Sequence, residues 1–530
     1  MPTVAAVIVS ALRDAGVHTL FGVPGGGSNL DIIAAAGRAG LPFVLTSHET
    51  AAALAAIAQA EITGRPGACL TTLGPGAASV VNGVACAFLD RVPLVVFSDS
   101  HPIAAAGAFE HQRLDQAALL SPITKSSAVL SPDNASQVAA CAIRTSLAYP
   151  AGPVHLECPG DVASATAEPH RRRASEAPPP VVAASVPALV SRARKPLLLV
   201  GLGARRREDA EAVRRLCERR HVPAMVTYKA KGVVPDDHAW FAGVFSNATI
   251  EQPVIADSDL LIGIGLDPVE LIPRRWAHEQ PIVYCGQGTV EDRHVPFAAQ
   301  MVTDVPTAAG QLAATLAVSD WNQARLRQQV SRQRREVSIP AAGLPAHRVV
   351  EIAAARLASV VGRVTVDAGA HMFPATMLWP ASEPNHLLIS NGLSTMGFAL
   401  PAAIGAALLD RSRAVVVLTG DGGLLMCLGE LLTAVRESLR IIVIVFSDAS
   451  LSLIEIKQQA RQLTPAGVSL GAVDWPALAA SFGVAAWVAS DEAELDRAVH
   501  EAQTRDGPSL IEAKIDRSNY GATLRAVRGA

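Results

Sequence analysis

Short apolar runs that end in polar or glycine-rich turns recur along the whole chain, and most are followed by a segment with helical spacing. The clearest example spans residues 414–458. There, the apolar run Val415–Leu418 precedes a glycine-rich turn, a helical segment at Glu430–Glu437 and a second apolar run, Ile441–Phe446. Continuous apolar runs of this length predict strands buried on both faces, as in parallel sheets. Their alternation with helices predicts an α/β fold with doubly wound parallel sheets.

The same alternation divides the chain into three α/β domains, at residues 1–165, 188–325 and 340–530. The polar, basic and proline-rich segment 166–187 is interpreted as a linker between the first two. Residues 516–530 are expected to form a short, partly exposed tail. Further strands are predicted at His18–Phe21, Phe43–Thr46, Cys69–Thr72, Pro93–Phe97, Lys195–Val200, Pro223–Thr227, Leu260–Gly265, Pro281–Tyr284, Arg363–Asp367 and Ser509–Ile515.

Composition and charge narrow the range of functions. The chain has 530 residues, half of them apolar, and a net charge of −3 with both signs interspersed. This balance predicts neither a nucleic-acid partner nor a membrane partner. No uncharged run reaches the about 18 residues that cross a bilayer, and the first residues are typical of an amphipathic helix rather than a signal peptide. Seven scattered cysteines without paired spacing favour a reducing cytoplasm, where they act as small core residues.

Two aspartates follow the apolar runs of residues 414–458. Asp421 follows the first run, and Asp448 comes 27 residues later, after the second. Since the carboxyl ends of parallel strands share one edge of a sheet, both carboxylates can converge there, beside free amides of Gly422 and Gly423 at a helix start. Carboxylates suit a hard divalent cation, and such amides suit a diphosphate. In the alternative interpretation, Asp421 only caps a helix and Asp448 only begins a turn.

This stretch resembles the GDG…NN signature of enzymes that use thiamine diphosphate (ThDP). One difference is that Ser447-Asp448 stands where the family usually has Asn-Asn. The resemblance implies Mg²⁺ bound by the side chains of Asp421 and Asp448 and by the backbone carbonyl of Ser450. The additional negative charge of Asp448 either tightens the metal site or repels the diphosphate.

Two further turns of the last domain resemble coenzyme-contacting turns of the same family, the first of which contacts the diphosphate. Residues 368–372 are similar to its GQHQ turn, with His371 in the same place, and residues 391–398 are similar to GLGTMGYG. In that family the methionine, here Met396, wedges beneath the coenzyme; the alternative is a methionine that fills the core. The resemblance implies a diphosphate half-site formed by Gly369, His371, Ser394, Met396, Gly420, Asp421, Gly422, Gly423, Asp448, Ser450, Leu451 and Leu453.

The first domain resembles the pyrimidine-binding domain of the family, through VPGG, HET before an alanine-rich helix, TGRPG and GPGA at the family's spacing. The resemblance implies coenzyme contacts from Pro24, Gly25, Gly26, Glu49 and Gly76. It gives Glu49 a catalytic role, in which its carboxyl promotes the imino form of the aminopyrimidine ring and must share a proton near neutral pH. The alternative is a glutamate that only favours the helix dipole.

A charged loop of the first domain resembles a substrate loop of the acetohydroxyacid synthases. Gln112 takes the place of a glutamine that reaches the reacting coenzyme, and His111 that of a phenylalanine. An imidazole there can exchange a proton near pH 7; an exposed loop histidine is the alternative. The same resemblance implies a substrate pocket of Leu453, Ile454 and Lys457. Lys457 replaces a tryptophan, and it either favours anionic substrates from inside the pocket or extends to solvent.

The middle domain carries weaker signals. Gly201-x-Gly203 after a strand favours a structural turn over a dinucleotide site, because Arg206 occupies the third glycine position. Some acetolactate synthases hold FAD against this domain. Here the flavin-associated stretches differ, and Leu271 stands where those synthases have an arginine that meets the flavin. FAD is therefore doubtful.

The resemblance spans nearly the whole chain and implies a ThDP- and Mg²⁺-dependent enzyme of the acetolactate synthase and 2-oxoacid decarboxylase superfamily. The coenzyme serves as an electron sink when a 2-oxo acid loses CO₂. Ligation to a second carbonyl, as in acetolactate synthases, is the first interpretation, and simple decarboxylation by a lyase is the second. A non-catalytic ThDP-binding paralogue and a flavin-dependent oxidase follow. The family binds its coenzyme between subunits, which implies a homodimer or homotetramer. The sequence does not specify the donor or the acceptor.

Overall fold

The computed structural model describes residues 1–105, 107–167, 181–182, 185–291 and 294–529. Three sheets with intervening helices organise these residues, which confirms the predicted α/β fold with three doubly wound units. The predicted strands are present, and their ends differ from the expected ones by a few residues. No helix in the described ranges is both long and apolar enough to cross a membrane.

The first sheet contains six parallel strands, β1 (Leu20–Val23), β2 (Phe43–Leu45), β3 (Gly67–Thr71), β4 (Leu94–Ser100), β5 (Ser127–Val129) and β6 (Pro153–Pro159). Its helices are α1 (Val4–Asp14), α2 (Ser28–Ala39), α3 (Glu49–Thr63), α4 (Pro75–Ser79), α5 (Val81–Leu89), α6 (Gln116–Leu120) and α7 (Ala135–Leu147). The spatial order is β2-β1-β3-β4-β6-β5. The order reverses between β1 and β3, and a doubly wound sheet binds ligands beyond the carboxyl ends of the strands at such a point.

The central sheet contains β7 (Val181–Val182), β8 (Pro196–Val200), β9 (Ala224–Val226), β10 (Phe241–Val244), β11 (Leu260–Ile264), β12 (Ile282–Gly286) and β13 (Phe297–Val302). Its helices are α8 (Ser185–Arg192), α9 (Arg207–Arg220), α10 (Gln252–Ala256) and α11 (Val305–Thr315), and α12 (Gln323–Val337) leads to the third unit. The order is β10-β9-β8-β11-β12-β13-β7. All pairs are parallel except the one at the edge, where β7 runs antiparallel to β13.

The third sheet contains β14 (Val361–Val366), β15 (Leu387–Ile389), β16 (Ala414–Gly420), β17 (Ile441–Ser447), β18 (Ala485–Ala489) and β19 (Ser509–Lys514). Its helices are α13 (Ala346–Leu357), α14 (Met372–Leu378), α15 (Ala399–Leu409), α16 (Asp421–Cys427), α17 (Glu430–Arg436), α18 (Ser452–Ala460), α19 (Trp475–Ser481), α20 (Glu492–Gln503) and α21 (Tyr520–Arg528). The parallel order β15-β14-β16-β17-β19-β18 reverses between β14 and β16.

The first and third units pack together through α3 and α15. Gln59 Nε2 donates a hydrogen bond of 3.1 Å to the carbonyl of Gly405. A Cβ atom at Gly405 would lie 2.2 Å from the carbonyl oxygen of Ala55, so only glycine allows this close helix contact. The alanine-rich sequence of α3, which is buried from Ala51 to Glu61, serves the same packing.

The structure differs from the sequence expectations at two places. The predicted short, partly exposed tail is more ordered than expected: residues 520–528 form α21 and pack against the third unit, where Tyr520 and Val527 are buried, whereas Arg517 and Ser518 are exposed. The predicted linker at 166–187 lies largely outside the described residues. Within it, β7 pairs with the central sheet and α8 begins at Ser185, so the central unit includes part of that segment.

Candidate active site

A cavity of about 250 Å³ lies at the carboxyl ends of β14, β16 and β17, where the strand order of the third sheet reverses. It is lined by residues 368–371, Ser394, Met396, residues 420–423, Phe446, Asp448, residues 450–454 and Tyr520. Every residue of the predicted diphosphate half-site is among them, as are Leu453 and Ile454 of the predicted substrate pocket. The fold therefore brings together predicted site residues from Gly369 to Ile454, which are up to 85 positions apart in the sequence.

Asp421 is the first residue of α16 and connects the two turns at this edge. Its Oδ1 accepts a hydrogen bond from the amide of Gly422 at 2.7 Å. Its Oδ2 accepts from the amides of Asp448 at 3.1 Å and Ala449 at 2.6 Å. The carboxylate thus fixes the turn after β17 against the start of α16. The expectation that the Gly422 amide is free is wrong in this structure, because Asp421 already accepts from it.

Asp448 supplies the second carboxylate. Its Oδ1 accepts from the amide of Ser450 at 3.1 Å, and its Oδ2 accepts from the hydroxyl of Ser452 at 2.6 Å. Burial, followed by the charge of Asp421, raises the pKa of Asp448 to about 6. Burial also raises the pKa of Asp421. Two neighbouring carboxylates that are hard to ionise together are suited to a bound cation, which stabilises both charged forms.

The donor set fits a cation that is shared with a ligand. No group of three or more His, Cys, Asp or Glu side chains in the described ranges could hold a metal by itself. An ion at Asp421 and Asp448 therefore needs further oxygen ligands, and magnesium is commonly bound by one or two carboxylates together with phosphate oxygens and water. The carbonyl of Ser450 is the additional protein oxygen that the sequence predicts there.

His371 lies deep in the cavity wall, where its ring stacks on Phe446 with a centroid distance of 4.9 Å. Burial lowers the pKa of His371 to about 4, so the imidazole is neutral near pH 7. Its Nε2 is buried without a hydrogen-bond partner in the described part of the chain. A polar atom in a cavity wall that has no partner within the chain is available to a bound ligand.

The loop that carries Met396 is held by a fully buried carboxylate. Asp367 accepts hydrogen bonds from the amides of Gly397 at 3.0 Å and Phe398 at 3.2 Å, and from the hydroxyl of Thr419 at 2.9 Å. A Cβ atom at Gly422 would lie 3.4 Å from Met396 Cε. The methionine therefore stands directly over the start of α16, inside the cavity rather than in the core.

The predicted pyrimidine half-site also forms a cluster, at the carboxyl edge of the first sheet. Glu49 begins α3, and its Oε1 lies 3.3 Å from the position of a Cβ atom on Gly76. Gly74, with a φ of 60°, lies under the backbone of Gln112, so the Gln112 loop covers the turn after β3. Glu49 is half-buried in the single chain.

The turn after β1, which contains Pro24, Gly25 and Gly26, is fixed from behind by a buried carboxylate. Asp99 accepts hydrogen bonds from the amide of Gly27 at 3.1 Å and from the amide and hydroxyl of Ser28 at 2.9 and 2.7 Å. Space remains at Gly26, where an added Cβ atom would meet no other atom within 4 Å. The turn is therefore fixed at Gly27 and Ser28, and it leaves space for a ligand at Gly26.

The two half-sites are separate within one chain. None of Pro24, Gly25, Gly26, Glu49, Gly76, His111 and Gln112 lines the cavity beside Asp421. His111 and Gln112 are exposed, as is Lys457, which also lies outside the cavity. Sequence reasoning missed five cavity residues: Ala368, Ala370, Phe446, Ser452 and Tyr520. The end of an apolar strand could have indicated Phe446, but no motif marks Tyr520.

Comparison with known proteins places this fold and site in a family. Three family models match the chain: the thiamine pyrophosphate enzyme N-terminal TPP binding domain at residues 2–119, the central domain at 184–312, and the C-terminal TPP binding domain at 367–513. Thiamine pyrophosphate is another name for ThDP. The chain belongs to the thiamine pyrophosphate enzyme family. The resemblance to ThDP-dependent enzymes that the sequence indicated is thereby confirmed.

Individual relatives match over almost the whole length. A catabolic acetolactate synthase of Raoultella terrigena is 30% identical, covering 96% of this chain and 94% of that protein. Acetolactate synthase of Bacillus subtilis is 29% identical, covering 97% and 93%. A probable 2-ketoarginine decarboxylase of Pseudomonas aeruginosa is 29% identical, covering 97% and 94%. The protein is thus an enzyme of the ThDP family with carboligating and decarboxylating relatives.

Proposed function

We propose that this enzyme decarboxylates a 2-oxo acid with ThDP and Mg²⁺ and joins the product to a second carbonyl compound, as an acetolactate synthase does. The observation that carries the proposal is the cavity in which Asp421 and Asp448 lie together with His371 and Met396. The carboxylates supply charge for a cation, and the orphaned Nε2 of His371 supplies a polar contact for a phosphate group.

Each half-site has its own task in this proposal. ThDP, when bound, supplies the electron sink for breaking the bond to the carboxylate carbon. Asp421, Asp448 and the carbonyl of Ser450 would hold Mg²⁺, and Met396 would contact the coenzyme. Glu49 holds the proton shared with the aminopyrimidine ring.

The site is proposed to be completed by a second copy of the chain, in a homodimer or homotetramer. The separation of the half-sites supports this, because Glu49 does not reach the cavity of its own chain. Exposed apolar side chains lie beside both halves: Met426 of α16 is 63% exposed, and Phe109 of the Gln112 loop is 55% exposed. Exposed apolar side chains beside an incomplete site favour a contact between subunits. Such a contact would exclude water from the coenzyme.

Ligation is proposed over simple decarboxylation because of the apolar wall formed by Leu453 and Ile454. An apolar wall excludes water from the reacting carbon and leaves room for an organic acceptor. The Gln112 loop, with His111, is proposed to close over this side from the partner subunit. Decarboxylation alone is the second candidate, supported by the similarity to the 2-ketoarginine decarboxylase.

The central unit does not offer a phosphate cradle for a flavin dinucleotide at its glycine turn. The amide of Leu202 donates to Glu270 at 2.9 Å, that of Gly203 to the carbonyl of Gly265 at 2.9 Å, and that of Ala204 to the carbonyl of Gly201 at 3.0 Å. Those donors are therefore not available to a phosphate at this turn. The function proposed here assigns no role to a flavin.

Product analysis tests the proposal. Purified enzyme is incubated with ThDP, Mg²⁺ and a panel of 2-oxo acids that includes pyruvate and 2-oxobutyrate, and the products are identified by NMR. Glu49→Gln is the matched control, because it keeps the size of the side chain and removes the shared proton. Acetolactate or a homologous 2-hydroxy-3-oxo acid supports ligation. Free aldehyde as the sole product favours the decarboxylase, and no product from any 2-oxo acid contradicts both.

A further inference from the structure

Tyr520 lines the proposed coenzyme cavity and comes from the C-terminal segment of the chain. It begins α21 and is 5% exposed. Its hydroxyl makes no hydrogen bond to any other group in the described part of the chain, although its ring belongs to the core of the third unit. A tyrosine hydroxyl at a cavity wall that has no partner in the chain is available to a bound ligand.

The turn that presents Tyr520 is rigidly connected to the predicted metal turn. Arg517 Nη1 lies 2.5 Å from Glu455 Oε2, and the same oxygen accepts from the hydroxyl of Ser450 at 2.7 Å. On the other side, Asn519 Nδ2 donates to the carbonyl of Ile339 at 2.5 Å. Tyr520 is therefore held at a fixed place beside the turn that contains Asp448.

The far end of α21 is anchored to the central unit. The amide of Thr249 donates to the carbonyl of Val527 at 3.0 Å. Within the third unit, the guanidinium of Arg528 lies 5.2 Å from the ring centroid of Phe373 in α14. With both ends anchored, the helix presents a pre-positioned hydroxyl, and pre-positioned groups bind a ligand without a large ordering cost.

A tyrosine hydroxyl is protonated near pH 7 and can donate a hydrogen bond. A donor in this position complements negatively charged oxygens, and hydrogen bonds from a neutral donor to a charged acceptor are among the stronger ones.

We propose that the hydroxyl of Tyr520 donates a hydrogen bond to the diphosphate of ThDP and so adds a coenzyme contact from the C-terminal helix. The inference rests on the proposed function, because it assumes that ThDP and Mg²⁺ occupy this cavity. It assigns a binding role to a segment that carries none of the sequence motifs of the family.

Calorimetric titration of Tyr520→Phe with ThDP, at saturating Mg²⁺, tests the proposal without measuring turnover. Phenylalanine keeps the ring and removes only the donor, so the fold is retained. The Kd for ThDP is expected to rise about tenfold or more, the effect of losing a hydrogen bond to a charged group. Inorganic pyrophosphate, measured as a competitor of ThDP, should lose affinity by a similar factor.

Tyr284→Phe is the matched control, because Tyr284 is a buried tyrosine of β12 whose hydroxyl meets Tyr149 at 3.1 Å, away from the cavity. Its Kd for ThDP should equal that of the wild type. An unchanged Kd in Tyr520→Phe overturns the inference, and so does a loss of ThDP affinity with unchanged pyrophosphate affinity, which would place the hydroxyl at the rings. Wild-type enzyme that binds no ThDP would instead overturn the proposed function.

Discussion

Replacing Lys229 with methionine is expected to destabilise the protein and to weaken coenzyme binding, because one ammonium group connects all three units. Lys229 Nζ lies 2.5 Å from Glu61 Oε1 and 3.1 Å from Asp90 Oδ2, and it donates to the carbonyl of Ile389 at 2.9 Å. The three charged side chains are almost completely buried. Burial lowers the pKa of Lys229, but Asp90 and Glu61 raise it by more, so the ammonium stays charged.

The size of the effect follows from what remains after the substitution. Removing one partner of a buried ion pair costs about 3–5 kcal/mol, because the other charge is left uncompensated. The lower end is expected here. Glu61 keeps Arg205 at 3.0 Å, and Asp90 Oδ1 keeps the amides of residues 391–392 at 3.2 and 2.6 Å. Lys229 also donates to the carbonyl of Ile389, just before the loop that carries Met396. The loss of this bond should loosen the loop and raise the Kd for ThDP by about tenfold, equivalent to ~1.4 kcal/mol.

Urea unfolding of the coenzyme-free enzyme measures the stability, and calorimetry measures the Kd for ThDP. Lys231→Met is the matched control, since Lys231 is another fully buried lysine, paired with Asp236 at 2.9 Å, that makes no hydrogen bond to the Met396 loop. The control should lose comparable stability and keep the wild-type Kd. Equal changes of Kd in both variants, or a Lys229→Met variant as stable as the wild type, would refute this reasoning.

Three further substitutions test individual site residues. Glu49→Gln should bind ThDP with wild-type affinity but exchange the thiazolium proton far more slowly, as followed by NMR in D₂O; wild-type exchange would exclude Glu49 as the activating group. Asp421→Ala should lose Mg²⁺-dependent ThDP binding, whereas Asp448→Asn should retain it, because the amide oxygen still serves as a ligand; the reverse result in a calorimetric titration would contradict the metal site. Lys457→Ala should raise the apparent KM for 2-oxo acids without changing the Kd for ThDP, because Lys457 lies one turn after Ile454, outside the cavity; an unchanged KM would show that its ammonium does not meet the substrate.

The diphosphate half-site could be predicted from the sequence because its groups lie at the ends of unmistakable buried strands. Val415–Leu418 and Ile441–Phe446 are apolar throughout, so the positions of Asp421 and Asp448 relative to the sheet followed from parallel topology alone. The engagement of the Gly422 amide could not be predicted in the same way. It depends on the rotamer of Asp421, which the sequence does not determine.

The buried ion pairs of Lys229 with Glu61 and Asp90 could not be predicted from the sequence, for a different reason. Glu61, Asp90 and Lys229 are far apart in the chain, and none belongs to a periodic or glycine-rich pattern. Tyr520 was missed because its segment follows the last strand and is rich in polar residues, a composition that is typical of an exposed tail. Its burial is a consequence of tertiary packing in the core of the third unit.

The central claim is that the cavity beside Asp421 and Asp448 binds ThDP together with Mg²⁺. Calorimetric titration of ThDP into metal-free wild-type enzyme, with and without added Mg²⁺, tests it most directly. We expect saturable binding with one ThDP per chain when Mg²⁺ is present and a large loss of affinity when it is absent, because the buried carboxylates repel the diphosphate unless a cation lies between them. Equal affinity with and without the metal, or no binding in its presence, would contradict the account.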